Sequence, residues 1–159
     1  MARMPTMFVK GDMFATPEIK AFAHGVNCAG RMEAGIAVAF KKRWPAMFEA
    51  YAKKCEEGTL QPGDVFVWKE GDQVVFNLAI AQEETAKPKL NALVTALGKT
   101  IELAKADGIE KIAMPRLGAA KAKSGLDWTR VRKVITETAE IAPVTLMVFE
   151  QFVRQPAGE

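Results

Sequence analysis

Two glycine-bearing segments constrain this chain more than any other feature. Residues 21–44 read AFAHGVNCAGRMEAGIAVAFKKRW, and residues 111–128 read KIAMPRLGAAKAKSGLDW. In each, a short apolar run suited to a strand meets a flexible turn, and a helical pattern follows. A strand that feeds a helix through glycine leaves backbone N–H groups without partners at the helix N-terminus, and those groups form an anion site. Two such loops facing each other suit a diphosphate, so the pattern points to a nucleotide-like ligand.

The rest of the chain is consistent with one domain built around those loops. Its 159 residues suffice to bury a core. A single domain over residues 1–159 is expected, with its core in about 7–150 and a loose tail at 154–159. The formal net charge of +3 suits a phosphate-bearing ligand but is too weak to imply nucleic-acid binding by itself. Cys28 and Cys55 are the only cysteines and read as free thiols in a reducing compartment. The first residues, MARMPTMFVKGD, carry no apolar signal core, and no apolar run reaches membrane-spanning length. The expectation is a cytoplasmic protein with no membrane partner, monomeric by default.

The periodicities predict an alternation of strands and helices. Strands are expected at residues 7–10, 22–27, 65–69, 74–80, 112–115 and 144–149, with Glu70-Gly71-Asp72 as a hairpin turn. Thr16-Pro17-Glu18 reads as the start of one short helical turn. Ile36, Phe40, Trp44, Met47, Phe48 and Tyr51 fall at helical spacing, and Pro45 divides that stretch into two short helices. Leu90, Leu93, Val94, Leu97, Ile101 and Ala104 form a helical stripe that ends at Asp107-Gly108. Asp127 is placed to cap a last helix carrying Val131, Val134 and Ile135. This order predicts an α/β protein with three α/β/α layers and a mixed central sheet.

Single residues with chemical potential have plain readings. His24 is the only histidine and lies in an apolar strand, so it reads as a core residue. Cys28 reads as a small buried side chain. The His, Cys and Asp residues lack metal-ligand spacing, and no metal is expected. Lys41-Lys42-Arg43 reads as a solvated helix face.

Several of these short motifs, in this order, resemble the macrodomain family. They are Gly11-Asp12 after a first strand, Asn27 after a second, Gly35-Ile36-Ala37, Asn77-Leu78-Ala79, and Met114-Pro115-Arg116-Leu117-Gly118. The wording around Ala23-His24, Cys28, Arg31-Met32, residues 34–38 and residues 40–42 is most similar to the branch holding terminal ADP-ribose protein glycohydrolase and the antitoxins that strip ADP-ribose from DNA. The resemblance spans about residues 7–149. It implies a cleft for ADP-ribose and requires no cofactor. In that cleft Asp12 would accept from the adenine amine, with Met13 beside it. Asn27 would meet the distal ribose hydroxyls, its alternative role being a strand-end cap. Gly35 would let the backbone approach the diphosphate, with Ile36 and Ala37 donating N–H groups. Arg31 and Met32 would line the first loop. Leu117, Gly118, Ala119 and Ala120 would close the second, with Lys121 within reach of a phosphate. Phe149 would flank the adenine or serve only the core.

The reaction implied by the resemblance is hydrolysis of ADP-ribose from a modified protein, through a carboxylate ester. Relatives of this branch carry a lysine just after the Asn77-type strand that attacks the distal ribose. This chain has Ala81 or Gln82 there, so a route without a covalent lysine is expected. Asn27, Glu33, Gln82 and Glu84 are the catalytic candidates, with Glu83 a further choice of base for a bound water. Alternatives are a non-catalytic reader of ADP-ribose, or a hydrolase of ADP-ribosylated nucleic acid or of ADP-ribose 1''-phosphate.

Overall fold

A computed structural model of the chain describes residues 6–83, 86–118, 125–140 and 142–152. Among them is a six-stranded sheet ordered β1-β6-β5-β2-β4-β3. The strands are β1 (Thr6–Gly11), β2 (Ala21–Asn27), β3 (Val65–Glu70), β4 (Gln73–Ala81), β5 (Lys111–Met114) and β6 (Thr145–Phe152). β1, β6, β5, β2 and β4 run parallel, and only the edge strand β3 is antiparallel, paired to β4 through the turn at Gly71-Asp72. Helices α1 (Ile36–Arg43) and α2 (Pro45–Glu56) cover one face, while α3 (Leu90–Ala106) and α4 (Trp128–Glu140) cover the other.

The period-two alternation of strand side chains divides the core in two. Ala21, Ala23, Phe76, Leu78, Ile112, Met114, Leu146 and Val148 point to the α3/α4 side. Their neighbours Phe22, Val26, Val75, Ala79, Ala113 and Phe149 point to the α1/α2 side. Both faces are buried, so the parallel strands read as nearly continuous apolar runs. Pro45 begins α2 instead of kinking one long helix, because a first-turn proline forfeits no helical hydrogen bond. Asp127 accepts from the Thr129 N–H at 3.3 Å, as a cap for α4 should.

One expected element is displaced. No helix starts at Thr16-Pro17-Glu18. The helical turn is a 3-10 turn at Met13–Ala15, because Asp12 accepts from the Phe14 N–H at 2.9 Å and caps it earlier. Pro17 and Glu18 instead form a tight turn, with Glu18 at φ 73°. The tail expected at 154–159 lies outside the described residues.

α1 is seated on the sheet by His24. The Phe40 ring lies flat against the imidazole, with centroids 3.7 Å apart and planes 3° from parallel. Asn77 on β4 donates to the Phe66 carbonyl at 3.0 Å, which turns its Oδ1 towards His24 Nε2 at 2.6 Å. Nε2 therefore carries the proton. Nδ1 is buried without a partner, and burial pushes the imidazole pKa down to about 4 against the opposing effect of the Asn77 bond. Because the unfolded chain binds a proton near pH 6.5 and the folded one does not, stability falls as pH drops from about 6.5 towards 4, by on the order of 3 kcal/mol. The only histidine gives a single imidazole Cε1–H resonance. Its shift should hold constant from pH 8 to pH 5; a titration centred near 6.5 would contradict this buried, neutral assignment.

Candidate ligand cleft

The carboxyl ends of the five parallel strands meet at one edge of the sheet, and a cleft lies across them. Its inner half, about 230 Å³, is lined by Asn27 at the end of β2, Ala81 and Glu83 after β4, and Pro115, Arg116 and Gly118 after β5. Its outer half, about 720 Å³, is lined by Asp12 after β1, Phe149 to Gln151 on β6, and Phe14, Lys42 and Arg43. Gly35, Ile36, Pro115 and Arg116 line both halves, so the N-terminus of α1 faces the loop after β5 across the junction. Chain direction reverses at this edge. β2 leads by way of α1 and α2 to β3 and β4 on one side, whereas β5 leads through α4 to β6 on the other. Open α/β sheets bind ligands at such switch points.

Two β-bulges shape the floor. Pairing between β2 and β4 slips after Val26, so that Asn27 meets Ala81 and Ile80 is skipped. The freed Ile80 carbonyl accepts from Lys89 N–H at 2.8 Å. Pairing between β1 and β6 slips after Val9 and skips Glu150. Its carbonyl accepts from Arg116 Nε at 2.7 Å. Each bulge releases a backbone group from the ladder and re-aims the strand end, a common device beside sites.

Asn27 organises the first loop. Its Oδ1 accepts from Ala29 N–H at 3.0 Å and Arg31 N–H at 3.3 Å, and its Nδ2 donates to the Arg31 carbonyl at 2.8 Å. Tyr51, fully buried on α2, donates its hydroxyl to the Asn27 carbonyl at 2.6 Å and lies 3.0 Å from Oδ1. The loop then reaches Gly35 at φ 61° and ψ −142°, a conformation essentially limited to glycine. Gly35 offers no side chain to cap α1. The first N–H groups of the helix, at Ile36 and Ala37, have no carbonyl one turn back to bond. Across the cleft Gly118 is also left-handed, at φ 66°, and its carbonyl accepts from Leu126 N–H at 2.6 Å.

Of the residues singled out in the sequence, the cleft walls include Asp12, Asn27, Arg31, Met32, Gly35, Ile36, Ala37, Gly118 and Phe149. Phe149 is also core, at 4% exposure. Asp12 keeps one carboxylate oxygen on the Phe14 N–H while facing the outer half. The side chains of Met13 and Leu117 are not in the walls. Both are buried in the two cores, Met13 on the α1/α2 side and Leu117 on the α3/α4 side. Glu33 is exposed on the outer surface, 3.5 Å from Arg31, in a shallow groove with Lys41 and Glu49. Gln82 is exposed beside the cleft, while its neighbours Ala81 and Glu83 line it. Glu84, Ala119, Ala120 and Lys121 lie outside the described residues. Burial raises the Cys28 thiol to about 11, which keeps it protonated and unreactive near neutral pH.

Three basic residues of the walls were not among the site candidates. Lys42 and Arg43 are exposed, as on a solvated helix face, and both also line the outer half, while Lys41 packs over the Phe48 ring at 4.1 Å in a shallow groove that Lys42 shares. Helical spacing from Ile36 was the available signal, since positions 36, 39 and 43 share a face. Arg116 was visible only as a motif letter. Its position depends on the β6 bulge, which no local pattern announces.

A three-layer α/β fold with a ligand cleft at its switch point, gripped by a helix N-terminus, defines a class of nucleotide-type binding domain. The macro domain family profile matches residues 23–135, and the chain belongs to that family. It is 30% identical over 148 residues to a DNA ADP-ribosyl glycohydrolase of Thermus aquaticus, covering 90% of this chain but only 40% of that relative's length. It is 29% identical over 142 residues to the human ADP-ribose glycohydrolase OARD1, covering 89% of each. The solved macrodomain of Thermus aquaticus DarG superposes with a TM-score of 0.83 at 29% identity, covering 91% of this chain and 97% of that one.

The Tyr51 hydroxyl is the testable support of the first loop. Tyr51→Phe leaves the buried Asn27 oxygens without that donor and should cost about 1–3 kcal/mol in urea unfolding. A change within about 0.3 kcal/mol would mean that the hydroxyl holds nothing in place.

Proposed function

We propose that this chain binds ADP-ribose along the cleft and releases it hydrolytically from a modified macromolecule. The observation that carries this reading is the continuity of the two half-clefts through the N-terminus of α1. Five strands at about 4.8 Å spacing give a groove about 19 Å long, enough for a nucleoside diphosphate bearing a second sugar. The diphosphate would take the N–H groups of Ile36 and Ala37, where the helix dipole also favours an anion. The adenine would lie in the outer half between Asp12 and Phe149, and the distal ribose in the inner half beside Asn27. The names of the Thermus and human relatives, both ADP-ribosyl hydrolases, support the same assignment.

On this reading the inner half supplies the chemistry. Ala81 and Gln82 offer no amine at the end of β4, so water is the nucleophile. Glu83 is the one carboxylate among the described residues of the inner wall. It would take a proton from water as the water oxygen bonds to the anomeric carbon and the ester carboxylate leaves with its electron pair. The primary linkage is a glutamate or aspartate ester on protein. Removal from DNA is the second reading, favoured by the name of the Thermus relative.

Asp12→Asn keeps an oxygen to cap the Phe14 N–H but removes the charge and one acceptor. Calorimetry should show ADP-ribose binding weakened about tenfold. Gly35→Glu, which sets a carboxylate against the diphosphate, should abolish binding. Full affinity in either variant would remove the corresponding contact. Glu83→Gln should retain ADP-ribose binding while release from an ester-linked ADP-ribosyl protein falls about 100-fold. Wild-type-like release in that variant would leave Glu83 no role as base.

A further inference from the structure

The outer half of the cleft holds more positive charge than an adenosine requires. Lys42, Arg43 and Arg116 all line it, and among the described residues none has a carboxylate within ion-pair distance. Two of the three are held in position. The Arg43 guanidinium lies 5.1 Å from the Phe14 ring centre and 5.7 Å from that of Trp44. Arg116 is fixed by the Glu150 carbonyl and by the Trp128 ring at 5.7 Å. The acids of the outer half, Asp12 and Glu150, are otherwise engaged. Asp12 caps the 3-10 turn, and the Glu150 carboxylate lies 3.7 Å from Arg132 and accepts from Trp128 Nε1 at 2.9 Å.

Position separates the roles of these cations. Arg116 stands at the junction of the two halves, opposite the N-terminus of α1, where the diphosphate is placed. Lys42 and Arg43 are in the last turn of the same helix. Residues 35, 38 and 42, with 36, 39 and 43, form one continuous strip of the cavity wall. Seven residues of helix put Arg43 about 10 Å beyond Ile36. That is too far to serve an anion held at the helix N-terminus, and on the proposed placement it lies on the adenosine side of the diphosphate. Favourable interaction with the helix dipole accounts for cations in a last turn. It does not account for the Arg43 guanidinium being held against Phe14 and Trp44 in the cavity wall, with Lys42 beside it on the rim shared with the groove of Lys41.

We infer that Lys42 and Arg43 form a second anion subsite, which accepts a phosphate monoester on the adenosine ribose of the bound nucleotide. This rests on the proposed placement of ADP-ribose in the cleft. The preferred ligand class is then a 2′-phosphorylated ADP-ribose, the form that carries the phosphate of the phosphorylated nicotinamide dinucleotide. A charged donor pair meeting a phosphate dianion makes charge-assisted hydrogen bonds that a bare hydroxyl cannot match.

The test is calorimetry on the intact chain with ADP-ribose and with 2′-phospho-ADP-ribose, at low and high salt. The phosphorylated ligand should bind about tenfold more tightly, and the advantage should shrink as salt screens the pair. In Lys42→Gln and in Lys42→Gln/Arg43→Gln the ratio of the two affinities should fall towards one. The single variant alters only an exposed lysine, so it guards against a folding defect from loss of Arg43 packing. Equal or weaker binding of the phosphorylated ligand, with ADP-ribose bound, would overturn the subsite and leave the cleft assignment standing. An advantage that persists in both variants would overturn the assignment to these residues. Failure of both ligands to bind would overturn the cleft reading and this inference together.

Discussion

The stacking of Phe40 on His24 is the contact on which the geometry of the cleft depends. It locks an eight-residue helix, too short to hold its own direction, onto β2, an inner strand of the mixed sheet. Trp44, Phe22 and Phe14 complete the aromatic cluster around it. Each fully buried ring contributes on the order of 2–3 kcal/mol of apolar burial. The imidazole serves here as a flat, neutral surface. Its one strong hydrogen bond, to Asn77, ties the same contact to β4. The result is that the amino end of α1 borders the cleft at the junction of its two halves.

The cleft is then assembled from groups the sheet itself releases. Bulges at the ends of β2 and β6 free the carbonyls of Ile80 and Glu150, and both find new donors in the segments that border the cavity. Asn27 spends its amide on the loop that leads to Gly35, supported from below by Tyr51. Binding surface and scaffold are therefore not separate layers. The backbone conformation at Gly35, the orientation of Asn27 and the seat of α1 are three consequences of the same packing of α1 and α2 on one face of the sheet.

Much of this was legible in the sequence where one physical signal dominated. The strands and the long stripe of α3 were clear because burial on both faces leaves apolar runs, and a 17-residue helix repeats its period several times. Gly35 and Gly118 were readable because glycine alone suits a left-handed turn next to a helix or strand end. Signals that depend on tertiary structure were not readable. The helical turn at Met13–Ala15 is a local exception, where the Asp12 carboxylate caps the Phe14 N–H ahead of the Pro17 signal. Leu117 and Met13 share motifs with the cleft residues but point into the two cores from turns, where no strand period applies. The places of Arg116 and Arg43 in the wall needed the bulge on β6 and the exact seat of α1.

Binding at the cleft depends on whether the amino end of α1 grips the diphosphate. The most direct measurement is a titration of the isotopically labelled protein with ADP-ribose, followed through backbone amide resonances. Large shifts are expected for the amides of Ile36 and Ala37, with smaller ones at Asp12 and Gly118, while amides of β3 and the exposed face of α3 stay still. Shifts centred on β3 and α3, or saturation without movement of Ile36 and Ala37, would contradict it.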